Sequence, residues 1–81
     1  MTSNLTETEQ QILAFEGRWY RHGGAKDEAI TVELGLTPTR YYQLLLGVDG
    51  IIDNPAALEH APTLVNRLRR LRQQRRHSRS A

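Results

Sequence analysis

Residues Glu33 to Leu46 read ELGLTPTRYYQLLL. Gly35 interrupts an apolar pattern, and glycine takes the left-handed conformation that ends a helix without strain. Thr37-Pro38 then starts another helix: the threonine oxygen can accept from a first-turn amide, and proline fits a position whose amide has no helical partner. A helix-turn-helix window from Asp27 to Leu46 places Ile30, Leu34, Leu36, Tyr41 and Leu44 where the two helices would pin together, with Gly35 in the turn. The small residue usual inside the first helix is Thr31 here, a departure from the common pattern.

Working outward, Thr6-Glu7-Thr8-Glu9 has the spacing of a capping box. A first helix is expected from Glu7 to about His22, its apolar face formed by Ile12, Phe15 and Trp19 with Leu13 and Tyr20 beside them. Gly17 inside it suggests a close helix–helix approach, and Gly23-Gly24 should end it. The second helix is expected over Ala25–Leu34. Tyr41, Leu45, Val48 and Ile52 step by helical intervals, so the third helix is expected to continue from Pro38 to about Ile52, kinked at Gly47 and Gly50. Asn54-Pro55 starts a short fourth helix to His60, and Pro62 a fifth to about Arg75, striped by Leu64, Leu68 and Leu71 with Val65 flanking. The expectation is an all-α bundle of four to five helices with no sheet. Residues 6–76 form one domain, with a helix-turn-helix at about 25–52, a basic helix at about 62–76, and disordered ends at 1–5 and 77–81.

The charge is polarised. Residues 1–60 carry nine acids and four bases, a net of −5; residues 61–81 carry seven arginines and no acid, a net of +7, which together make the chain's +2. A basic end on an acidic body suits a polyanionic partner. With 81 residues and no cysteine, a disulfide framework and thiolate metal sites are excluded. No apolar run has the length of a membrane span, and the first residues lack the basic start and apolar stretch of a secretory signal. His22, His60 and His77 lack ligand spacing, so no metal is expected. Glu7, Glu9, Asp27 and Glu28 read as helix-start acids that suit the helix dipole. Without a nucleophile, a phosphate loop or an acid–base pair, neither enzymatic activity nor a cofactor is expected.

In a DNA-reading helix-turn-helix the start of the second helix enters the major groove. With Tyr41 and Leu44 inward, the base-contacting candidates are Thr39, Arg40, Tyr42 and Gln43. Arginine pairs with guanine and glutamine with adenine through two hydrogen bonds each. The phosphate-contacting candidates are Thr37 and Lys26, together with Arg67, Arg69, Arg70, Arg72, Arg75 and Arg76. Each neutralised phosphate steepens the salt dependence of binding by about 0.9.

The chain also resembles a family of small actinobacterial proteins of unknown function. The marks are Leu5-Thr6 with Glu9, Gly24-Ala25-Lys26, Arg40-Tyr41-Tyr42-Gln43, and Asn54-Pro55 through the RLRRLR run ending at Arg72. The match covers roughly residues 5–76; the chain is a few residues longer than that pattern over Leu46 to Gly50. The resemblance implies an all-helical, regulator-like domain and transfers no activity. The leading expectation is a cytoplasmic, nucleoid-associated or transcription-regulating protein that binds double-stranded DNA, either alone or as a homodimer. RNA and acidic protein are the other polyanions the tail would suit. The alternative is an adaptor whose helical body binds a protein of the transcription machinery.

Overall fold

The computed structural model describes residues 5–19 and 23–80, with residues 75–80 described by their backbone alone. Among them lie α1 (Glu7–Trp19), α2 (Gly23–Ala29), a π-helical turn (Ile30–Leu34), α3 (Pro38–Leu46), a 3-10 turn (Ile51–Asp53), α4 (Pro55–His60) and α5 (Pro62–Ser80), with no strand. The fold is all-α.

The caps are those the sequence specifies. The Thr6 amide donates to Glu9 Oε1 at 2.8 Å and the Glu9 amide to Thr6 Oγ1 at 3.1 Å, so the box satisfies two amides reciprocally. The Arg40 amide donates to Thr37 Oγ1 at 3.1 Å, and the Ala56 amide to Asn54 Oδ1 at 2.9 Å. Gly35 ends the π turn at φ 69°.

The core joins Ile12, Leu13 and Phe15 of α1 to Ile30, Tyr41 and Leu45 of the helix-turn-helix. Ile51, Ile52, Ala57, Val65 and Leu68 close it from the C-terminal side. Phe15 stacks on Trp19, ring centres 5.9 Å apart, and meets Tyr41 edge-on at 5.6 Å. Both arrangements suit the aromatic quadrupole.

Several boundaries differ from the expected ones. The third helix stops at Leu46. A Cβ on Gly47 would lie 2.5 Å from the Gln43 carbonyl oxygen, and one on Gly50 would lie 2.8 Å from the Leu45 and Gly47 oxygens. Asp49 adopts a positive φ of 57°. The chain therefore turns sharply, Ile51 and Ile52 re-enter the core, and Val48, expected on the apolar stripe, is exposed. Leu34 is reached through a π turn rather than a continuous α-helix. Gly23 and Gly24 are the first residues of α2. The expected end of α1 at Tyr20–His22 and the disorder expected for residues 1–4 lie outside the described residues. Leu5, expected to be disordered, packs against the core. The α5 backbone continues to Ser80, past the expected end near Arg75.

Gly17 has nothing within 4 Å of an added Cβ, so the expected close approach is not made there. Gly17→Ala should stabilise the protein by about 1 kcal/mol through helix propensity. Gly35→Ala, equally free of contacts but at positive φ, should cost about 1–2 kcal/mol. Urea unfolding of the two variants should move in opposite directions.

Candidate nucleic-acid interface

After the turn formed by Gly35, Leu36 and Thr37, α3 packs against side chains of α1 and α2, with Tyr41 and Leu45 on its buried side. Thr39, Arg40 and Gln43 are all exposed. Their i, i+3 and i, i+4 spacings put them on one face. Thr37 is also exposed, its oxygen engaged by the Arg40 amide. Because Pro38 has no amide and that of Arg40 is taken, Thr39 supplies the first-turn amide without an intrahelical acceptor. Arg40 and Gln43 also edge a groove of about 540 Å³ running between α3 and the start of α1. Its floor includes Ile12, Leu36, Leu44 and Ile51, and its rim includes Glu9 and Asp49.

Tyr42 is half-buried rather than free. Its ring lies 5.0 Å from that of Tyr41, at 85°, and 5.4 Å from the Lys26 ammonium. These contacts hold Tyr42 against the body, beside the Arg40–Gln43 face.

Lys26 does not face solvent, which corrects its assignment as a phosphate contact. Its Nζ lies 2.8 Å from Glu16 Oε1, with the two side chains only 7% and 4% exposed. The Tyr41 hydroxyl donates to the same Glu16 oxygen. Three helices thus meet at one buried carboxylate. Burial, then the bond to Glu16, pushes the Tyr41 phenol well above its usual range. Sequence reading missed Glu16, although the signal was present: it lies between Ile12 and Trp19 on the apolar face of α1. Lys26 stands one turn before Ile30 on the inner face of α2 in the same way.

The arginines of α5 divide into two sets. Arg69 Nε donates to the Ile52 carbonyl at 2.6 Å. Arg72 donates to the Leu46 carbonyl at 3.2 Å and grips both oxygens of Asp53, at 2.7 and 3.1 Å. The Asp53 carboxylate holds the Arg72 guanidinium above its ordinary range. These two arginines cap carbonyls left by α3 and the 3-10 turn, so much of their donor capacity serves the fold. Arg67 is half-buried, and Arg70 is exposed. Arg75 and Arg76 lie on the α5 backbone, their side chains outside the described residues.

The molecule is thus a small all-helical domain built on a helix-turn-helix. It belongs to the DUF3263 family, a protein family of unknown function, whose profile matches residues 4–80. Comparison with curated proteins and with solved structures gave no match. Among the described residues, no helix is long and apolar enough to cross a membrane.

Lys26→Met strips the buried Glu16 of its counter-charge and should cost about 3–5 kcal/mol; pairing it with Glu16→Gln should restore part of that loss in chemical denaturation. Tyr41 gives a pH test. The unfolded phenol ionises near pH 10 and the folded one well above it, so its contribution to stability is complete below about pH 10 and falls as pH rises. Tyr41→Phe should flatten that alkaline loss by up to about 1.4 kcal/mol per pH unit, read from urea titrations across pH 9–12.

Proposed function

We propose that this protein binds double-stranded DNA, as a transcriptional regulator or a nucleoid-associated protein. Thr39, Arg40 and Gln43 meet the base edges, and the outer arginines of α5 hold phosphates. The observation that carries this reading is the exposed Thr39–Arg40–Gln43 face at the capped start of a helix that follows a three-residue turn. Side chains able to form paired hydrogen bonds with guanine and adenine stand there together.

The position of α5 supports a second contact. Arg72 touches the last carbonyl of α3. α5 therefore passes the C-terminal end of α3, roughly 9 Å along the α3 axis from Arg40, at 1.5 Å per residue over six residues. The acidic remainder of the body repels phosphates and restricts the approach to these elements. With Lys26, Arg69 and Arg72 committed to internal partners, Arg70, Arg75 and Arg76 carry the electrostatic part. The predicted salt slope is therefore shallower than the arginine count alone would give.

The same groove gives the second reading its support. An apolar floor with Arg40 beside Glu9 and Asp49 on its rim also suits a peptide of a protein partner. A partner retained from lysate after nuclease treatment, and lost on Leu44→Glu, would favour an adaptor.

Fluorescence anisotropy against a duplex library at several salt concentrations tests the DNA reading. Arg40→Ala should change base preference by about 1–3 kcal/mol at one position. Joint replacement of Arg70, Arg75 and Arg76 by glutamine should weaken all sequences alike and reduce the salt slope by about 0.9 per lost contact. An unchanged preference in Arg40→Ala would remove base reading by α3.

A further inference from the structure

Among the described residues, three large apolar side chains stand in solvent: Val32 at 77% exposure, Val48 at 95% and Leu71 at 46%. Two of them have surroundings of opposite charge. Val32 lies in the π turn that continues α2, and Asp27 and Glu28 of α2 are both exposed. They precede Val32 by five and four residues, the spacings that stack where an α-helix passes into a π turn. Leu71 is the first residue of the α5 stripe to lose its cover, since Val65 and Leu68 before it are buried in the core. Arg70 is exposed beside it, and no acid follows Glu59.

We propose that these patches bind each other in successive copies of the chain: Leu71 of one copy packs on Val32 of the next, and Arg70 of the first pairs with Asp27 and Glu28. The charge complementarity selects a second copy as the occupant, because one chain carries both halves of the match and leaves both exposed. The two halves are different surfaces, so the contact is heterologous. It leaves one free patch of each kind on every dimer and extends into chains or rings instead of stopping at two. Two apolar side chains and the exposed charges beside them make a small, salt-sensitive contact. The proposal goes beyond the DNA reading and is tested without nucleic acid.

Sedimentation equilibrium of the nuclease-treated full chain at low ionic strength should show a mass rising with concentration above the 9.3 kDa monomer, and high salt should return it to the monomer. V32K and L71E, each changing an exposed side chain, should each weaken association by about tenfold or more. The decisive sample is their equimolar mixture. The intact α5 patch of V32K and the intact α2 patch of L71E should form a one-to-one dimer that grows no further. A monomeric wild-type chain, a V32K variant that associates like wild type, or a mixture that stays monomeric would each overturn the proposal. Should either variant lose helicity by circular dichroism, E28K and R70E carry the same mixing test.

Discussion

The Glu16 carboxylate sits where α1, α2 and α3 meet, and it accepts from the other two. Lys26 supplies the balancing charge and Tyr41 a neutral donor. A buried pair of this kind contributes little net stability compared with an apolar trio, but losing one partner is expensive. Its consequence is geometric. The Tyr41 hydroxyl reaches Glu16 only when α3 lies at one rotation, and that rotation also buries Leu45 and turns Thr39, Arg40 and Gln43 to solvent. Lys26 extends the constraint by resting against the Tyr42 ring. The core polar cluster and the exposed face are thus two sides of one nine-residue helix.

A parallel constraint acts at the other end of α3. Gly47 and Gly50 let the chain turn tightly, which leaves the Leu46 and Ile52 carbonyls to be satisfied. Arg72 and Arg69 reach back from α5 to do so. The same residues that look like a uniform basic stripe therefore hold α5 onto the body along its first half. Arg70, between them in sequence, is exposed. The division explains how one helix can combine an apolar seam, two structural arginines and a basic outer end.

Much of this was legible in the residues, and the failures have physical causes. The starts of α1, α3 and α4 were readable because capping is local: Thr6 with Glu9, Thr37 with Pro38, and Asn54 with Pro55 act within one turn. Gly35 was readable for the same reason. The end of α3 was not, because the helical spacing of Tyr41, Leu45, Val48 and Ile52 is matched by two separate elements entering one core from different directions. Lys26, Arg69 and Arg72 look like surface charges in the sequence because nothing local distinguishes a cation facing water from one facing a carboxylate or carbonyl far away in sequence. Of the α3 candidates, Thr37, Thr39, Arg40 and Gln43 lie exposed as their helical positions suggested. Tyr42 is drawn inward by Lys26, a contact that depends on tertiary structure.

The central claim is that the fold holds α3 so that its outer face meets DNA. The most direct measurement is a titration of the isotope-labelled protein with a duplex at low and moderate salt, followed by amide chemical shifts. The account predicts shifts at Thr37 and Thr39–Gln43, as well as along the outer part of α5, with the α3 shifts persisting at moderate salt. Shifts confined to α5 and erased by salt would contradict it.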